Sequence, residues 1–289
     1  MGKEGRVVDA RRLAGKRRQL VTLVREFRQV GVAFSGGVDS SLLLKVAADV
    51  LGQDAVVALT GVSASVPEVD LAEARTLTHS LGVRHVLIET DELTREEYWR
   101  NPVNRCYFCK QELYERLVPV AAAAGLHVLC DGTNAEDLSE YRPGRQAAVG
   151  AGIRSPLAEV GLVKAEIRQL SARLGLPTAD KPAAPCLASR IPYGQPVTVK
   201  KLTRIGRAEA ILHGAGFRVC RVRDHQGDLA RIEVPREDLG RLLAPDRLGQ
   251  VTAALREVGY RSITVDLEGF RSGRLNEEIA TPARGTPRP

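Results

Sequence analysis

The sequence predicts an α/β protein: a doubly wound parallel sheet followed by a second, smaller α+β domain. Three observations predict it. Short apolar runs alternate with helically spaced stretches through the N-terminal half, glycines stop several of the helices, and a Pro-rich junction precedes a change of pattern. Short apolar strands separated by helices mark a parallel sheet covered on both faces.

Taken in order, Gln19–Val30 has helical spacing and Gly31–Phe34 is a short apolar strand. Ser40–Leu51 is a helix with one apolar face, and Ala55–Leu59 is strand-like. Val66–Leu81 is helical and stops at Gly82; Val83–Ile88 is a strand. Phe108–Ala124 is a helix stopped by Gly125, and Leu126–Cys130 is a fourth strand. Crossovers between parallel strands are right-handed, and such sheets take ligands at the carboxyl ends of their strands. Beyond the prolines at 177, 182, 185, 192 and 196, Val199–His213 is helical and Phe217–Arg223 alternates apolar and basic residues. His225–Asp228 is a turn, Leu229–Val234 a second alternating strand, Leu248–Val258 a helix and Ile263–Leu267 a strand. The expected domains are 1–190 and 191–276, with a poorly ordered tail over 277–289.

Composition narrows the function classes. The chain has 289 residues, 44% hydrophobic and 27% charged, as a globular protein does. No apolar run approaches the roughly 20 residues of a membrane span. The first residues carry no apolar signal core, so a cytoplasmic protein is expected. An aromatic share of only 4% argues against a large base-stacking surface, so no nucleic-acid partner is expected. The net charge of +7 has two readings: solvated basic faces, or a site for polyanions such as nucleotides. Five cysteines at irregular spacing do not make a disulfide framework, which leaves metal binding or catalysis as their notable uses.

The sharpest motif follows the first strand: Ser35-Gly-Gly-Val-Asp-Ser-Ser41. Gly36 and Gly37 let the backbone turn tightly and come close to a phosphate. Their N–H groups and the following helix N-terminus form an anion nest, to which Ser35, Ser40 and Ser41 add hydroxyls. Asp39 is placed either to cap the helix or to help hold Mg²⁺. The Gly-Lys-Ser/Thr of a Walker loop is missing.

This string resembles the PP-loop of the N-type ATP pyrophosphatases. The resemblance implies that the loop grips the pyrophosphate leaving ATP while a substrate oxygen is adenylated. It further implies that Asp131-Gly-Thr133-Asn134, with Asp137, lies around the α-phosphate and Mg²⁺. By the same resemblance Ser155-Pro-Leu157 with Lys164 and Arg168 faces the phosphates, and Thr60–Ser63 holds adenine.

A narrower resemblance rests on Pro185-Cys-Leu-Ala-Ser-Arg-Ile-Pro-Tyr-Gly194, Asn104-Arg-Cys-Tyr-Phe-Cys-Lys110 and Gly269-Phe-Arg-Ser-Gly-Arg-Leu-Asn276. From about residue 32 to residue 276 the chain resembles the ATP-dependent sacrificial sulfur transferases of the LarE type. These adenylate a carboxylate of pyridinium-3,5-biscarboxylic acid mononucleotide and convert it to a thiocarboxylate, for a nickel-pincer nucleotide cofactor. The resemblance implies a homo-oligomer and a small nucleotide substrate. It makes Cys186 the sulfur-handling residue, consumed to dehydroalanine in the sacrificial form. An attacking sulfur must be a thiolate, and Arg190 and Lys181 are candidate cations beside it.

Cys106-x-x-Cys109 points elsewhere. With Cys186 it makes a three-thiolate set suited to a [4Fe–4S] cluster with an open iron. Zinc, which would need a fourth ligand, and a redox disulfide are the rivals. Cys130 and Cys220 read as structural. Arg221 and Arg223, two residues apart on one strand face, are implied by the resemblance to bind the substrate phosphate; a solvent-facing strand edge is the bland alternative. His225, Arg271 and Arg274 are lesser candidates. A tRNA-thiolating enzyme and a non-enzymatic nucleotide-binding regulator remain the other readings.

Overall fold

The computed structural model describes residues 9–139 and 142–271. The element order is α1 (Ala10–Glu26), β1 (Val30–Ala33), α2 (Val38–Leu51), β2 (Val56–Val62), α3 (Glu68–Ser80), β3 (Arg84–Glu89), α4 (Glu96–Trp99), α5 (Arg105–Ala123) and β4 (Leu129–Cys130). There follow α6 (Pro143–Gly150), α7 (Pro156–Glu159), α8 (Lys164–Arg173), α9 (Val199–Gly214), β5 (Arg221–His225), β6 (Leu229–Glu233), α10 (Leu239–Leu242), α11 (Pro245–Glu257) and β7 (Ser262–Val265). The motif residues Ser272–Asn276, including Arg274, and the tail 277–289 lie outside the described residues. No described helix is long and apolar enough to cross a membrane.

The chain divides into two compact units. One comprises the described residues up to Glu92 together with Asn104–Ala184; the other comprises Leu93–Val103 and the described residues from Pro185 onward.

The first unit holds a parallel sheet in the order β3-β2-β1-β4. Side chains along a strand alternate between faces. Val30, Val32, Phe34, Val56 and Ala58 therefore enter one core with α1, α2 and α8, while Val57, Leu59 and Leu129 enter another with α5 and α6. Gly31 belongs to the second face. A β-carbon there would lie 2.5 Å from Leu129 Cδ2, so the Leu129 side chain fills the space the glycine leaves. Both faces are covered, as the alternation of short apolar runs and helices predicts. Helix α1 begins well before the predicted Gln19, because Asp9 caps it by accepting from the backbone of Arg11 and Arg12.

The second unit is built on the sheet β5-β6-β7. β5 and β6 form an antiparallel hairpin, and β7 runs parallel to β6. Phe217, Cys220, Val222, Ile232 and Val234 form its core with α9 and α11. The excursion Leu93–Val103 is stitched into this unit: Asn101 O accepts from Gly194 N at 2.9 Å, and Trp99 O accepts from Val197 N at 2.8 Å.

Candidate functional site

The Ser35–Ser41 segment leaves the carboxyl end of β1 and enters α2. Gly36 takes φ +69°, a left-handed conformation, and its turn packs on α3: a β-carbon there would lie 3.2 Å from Ala74 Cβ. Gly37 is the N-cap of α2 and supplies no side-chain cap, so the helix N-terminus is left open to an anion. Asp39 lies inside the first turn and does not cap the helix. Its Oδ2 receives Lys164 Nζ at 2.5 Å, while its Oδ1 is buried and unpartnered. The Ser41 hydroxyl is likewise buried and unpartnered. Ser40 Oγ donates to Gly37 O at 3.2 Å, accepts from Ser35 N at 3.3 Å, and lies 3.2 Å from Ser35 Oγ. An orphaned carboxylate oxygen beside an uncapped helix start fits Mg²⁺ with a polyphosphate.

The loop after β4 meets this helix start. A β-carbon on Gly132 would lie 2.7 Å from Ser40 N, so the Asp131–Asn134 segment touches the first turn of α2. Within it Asp131 is a hub. Oδ1 accepts from Thr133 N at 3.1 Å and Ser155 Oγ at 2.8 Å; Oδ2 accepts from Thr133 Oγ1 at 2.9 Å and Tyr114 OH at 3.4 Å. Asp131 and Thr133 thus hold the loop's shape with their own polar atoms. Asn134 and Asp137 cap one another's backbone in the turn that follows. Ser155 brings α7 to the same hub, and Lys164, first residue of α8, brings a cation to Asp39. Arg168 does not face this site: it binds the carbonyls of Ala179 and Lys181 at 2.6 and 2.8 Å.

At the end of β2 the geometry departs from the adenine role expected of Thr60. Its hydroxyl is buried, donates to Phe34 O at 2.6 Å and so accepts from His85 Nε2 at 2.8 Å. Thr60 braces the residue before the glycine turn. Burial, and secondarily the charge of Arg75, hold His85 below its usual pKa. Ser63 donates to Glu92 Oε1 at 2.6 Å, and Ser65 adds 2.5 Å to the same oxygen. Glu92, fully enclosed, was not among the residues singled out from sequence; two serines near an isolated acid give no linear signal.

Cys106 lies in the first turn of α5 and Cys109 three residues on, on the same side of the helix, Cys106 exposed and Cys109 half-buried. Lys110 has a raised pKa, chiefly from the charge of Tyr114 and against burial, with smaller contributions from Cys109, Asp131 and Cys106. Among the described residues no three His, Cys, Asp or Glu side chains are gathered as a metal site, and Cys186 belongs to the other unit. Cys130 and Cys220 are buried thiols pushed up by desolvation, Cys220 to about 12, as inert structural cysteines are.

In the second unit Cys186 is half-buried and caps a short 3-10 turn, Leu187–Arg190. Its carbonyl receives Ser189 N at 3.0 Å, Ser189 Oγ at 2.8 Å and Arg190 NH1 at 3.0 Å. Arg190, 2% exposed, does not present its charge outward as a substrate-binding cation would. It forks onto Glu209 at 2.9 and 2.8 Å and also binds Pro185 O and Ser189 Oγ. Glu209 Oε1 in turn accepts from Val222 N at 3.0 Å. A parallel brace comes from Arg223, which forks onto Glu233 at 3.0 and 2.9 Å and gives NH1 to Ser189 O at 2.8 Å. β5 is therefore buried rather than a solvent-facing edge. Arg221 stacks 5.2 Å from the Phe270 ring and gives NH1 to Cys220 O at 2.7 Å; burial, then the charge of Arg190, lower its pKa to about 10. His225 closes β5 opposite Leu229, and the exposed Arg271 pairs with Glu268 at 3.0 Å.

The chain is similar to several known proteins. A family model described as NAD synthase matches residues 18–186. An uncharacterised protein of Synechocystis sp. is 47% identical over 92% of this chain and 99% of its own length. Pyridinium-3,5-bisthiocarboxylic acid mononucleotide synthase of Lactiplantibacillus plantarum is 38% identical over 92% and 96%. The tRNA-specific 2-thiouridylase of Azorhizobium caulinodans is 28% identical over 80% and 68%.

Proposed function

This chain belongs to the LarE-type family of PP-loop enzymes and is an ATP-dependent sulfurtransferase; from that premise we propose that it adenylates a carboxylate of pyridinium-3,5-biscarboxylic acid mononucleotide and converts it to a thiocarboxylate. The observation that carries the reading is the uncapped start of α2, with Gly132 against Ser40 and the bare Asp39 and Ser41 oxygens beside it. That is a ready receptor for a leaving pyrophosphate.

A substrate carboxylate oxygen attacks the α-phosphorus of ATP, the bond to the bridging α–β oxygen breaks, and pyrophosphate departs. The backbone N–H groups at 37–40 and the hydroxyls of Ser35, Ser40 and Ser41 take up the charge that develops on it. Lys164 and Asp39 order the same end of the helix. Mg²⁺, when held at Asp39 Oδ1, supplies further neutralisation of the phosphates. Sulfide attacks the acyl carbon, AMP leaves with the electron pair of the broken C–O bond, and a thiocarboxylate remains. AMP is the leaving group that makes an inert carboxylate electrophilic.

Cys106, Cys109 and Cys186 would hold a [4Fe–4S] cluster, which when bound would supply the sulfide. Arg221 receives the substrate phosphate. Its planar guanidinium suits forked contact with a phosphate.

The test mixes the anaerobic protein with ATP, the biscarboxylic mononucleotide and isotope-labelled sulfide. Substrate-dependent pyrophosphate release with label in the nucleotide supports the proposal. Release of no pyrophosphate overturns it, and label found in tRNA moves the activity to that acceptor. Loss of one H₂S in mass from Cys186, without iron, replaces the cluster by a sacrificial cysteine.

A further inference from the structure

Lys181 is part of the first unit and lies on the outer side of the glycine turn. Its Nζ donates to Gly36 O at 3.3 Å and pairs with Asp70 at 2.9 Å and Glu73 at 2.7 Å, both on α3. Its backbone is fixed as well. Lys181 N donates to Thr178 O at 3.0 Å, and Arg168 holds the carbonyls on either side of residue 180. The side chain is only 14% exposed. Burial works against its charge, but the hydrogen bonds and charges of Glu73 and Asp70 outweigh burial and raise its pKa. A buried lysine fixed at head and backbone, in contact with a loop carbonyl, is more than a solvated surface cation.

The peptide joining Gly36 to Gly37 is trans and planar, so its carbonyl and its N–H point in opposite directions. A cation on Gly36 O therefore sets where Gly37 N–H points. That N–H is turned toward Ser35 Oγ, a long contact at 3.4 Å that a stronger acceptor can replace. Two successive glycines offer little steric resistance to a flip of this peptide.

We infer that Lys181 is a positioning residue that pins the Gly36–Gly37 peptide from behind, keeping Gly37 N–H aimed into the anion nest. The inference rests on the pyrophosphate-binding reading of that nest. It assigns Lys181 no contact with phosphate and no part in activating Cys186: the ammonium already has three acceptors, two of them carboxylates.

The experiment compares binding of inorganic pyrophosphate and of AMP by titration calorimetry in the full chain. Lys181→Met is expected to weaken pyrophosphate by about tenfold or more, the usual worth of a charged hydrogen bond, while AMP changes by less than about twofold. Lys181→Arg, which can still donate to Gly36 O, is expected to restore most of the loss. Lys181→Met leaves two acids behind, so a triple variant adding Asp70→Asn and Glu73→Gln removes their repulsion. Pyrophosphate still weakened in the triple variant supports the pin. Recovery to wild-type affinity there, or equal weakening of AMP in Lys181→Met, overturns it. Wild type failing to bind pyrophosphate at all would overturn the nest reading itself.

Discussion

A β-carbon at Gly132 would lie 2.7 Å from the backbone nitrogen of Ser40, closer than any real side chain comes to a peptide. Gly132 has no left-handed φ to explain it. Space alone requires the glycine, because the β4 loop must come flush against the first turn of α2. Gly132→Ala is expected to push the two segments apart, at a cost of about 1–3 kcal/mol. Steady-state pyrophosphate release should show the KM for ATP rising more than the KM for the second substrate. Equal changes in both would mean the contact is only packing.

Asp39 offers one oxygen to Lys164 and leaves the other buried without a partner. Asp39→Asn keeps the shape and removes the charge. Pyrophosphate release is expected to fall by about 10²-fold, in line with loss of one electrostatic stabiliser of a transition state. The Mg²⁺ concentration giving half-maximal rate should rise with it. A variant with reduced rate and unchanged Mg²⁺ dependence would leave Asp39 as a partner of Lys164 only.

The parallel sheet was legible because its strands are short apolar runs at fixed spacing, which is what burial on both faces demands. The tight turn after β1 was legible because Gly36, Gly37 and the serines cluster in seven residues. What could not be read lies in side chains that meet across the chain. Thr60 falls at a strand end where a ligand contact was expected, yet His85 and Phe34 O consume its hydroxyl. Arg190 looks outward-facing in a Pro-rich loop, but Glu209, nineteen residues later on α9, draws it inside. The excursion Leu93–Val103 depends on backbone bonds from Trp99 and Asn101 to residues about ninety positions away, which no local pattern encodes.

Arg190 and Glu209 form a buried, forked pair that also ties the Cys186 turn to β5 through Val222 N. Removing one partner strands the other's charge. Arg190→Met is expected to lower stability to urea by about 3–5 kcal/mol. Pairing it with Glu209→Leu should recover most of that, since an apolar pair of similar volume replaces a buried ion pair at little cost. The Cys186 turn would stay loosened in both, because its carbonyl has lost the guanidinium. Faster alkylation of Cys186 in the double variant, despite recovered stability, is the measurement that separates bracing of the turn from stabilisation of the unit.

His85 gives a pH dependence whose sign follows from its position. Its pKa in the fold lies below the ordinary 6.5, because burial and then Arg75 oppose the cation. As pH falls through about 6.5 the unfolded chain takes up a proton that the folded chain resists, so stability drops toward acid and is fully present above that value. Thermal midpoints at pH 7.5 and 5.5 should therefore differ more in wild type than in His85→Gln, which keeps a donor for Thr60 and cannot titrate. An unchanged difference would assign the acid sensitivity to other groups.

Cys106 and Cys130 differ in exposure. Cys106 is exposed on the first turn of α5 next to Cys109, and Cys130 is sealed in β4 with its pKa raised by burial. Anaerobic preparations are expected to carry iron and acid-labile sulfide in about equal amounts, with a visible charge-transfer absorption. Cys106→Ala should abolish both, and Cys109→Ala likewise. Cys130→Ala should keep the metal while losing some stability to the cavity it leaves. The pairing matters more than either loss. If Cys106→Ala keeps its iron, or if zinc replaces iron at one ion per chain, the two thiolates of α5 serve another metal and the sulfide must come from elsewhere. Sulfur transfer that survives Cys106→Ala but not Cys186→Ala would put the donated sulfur on Cys186 itself.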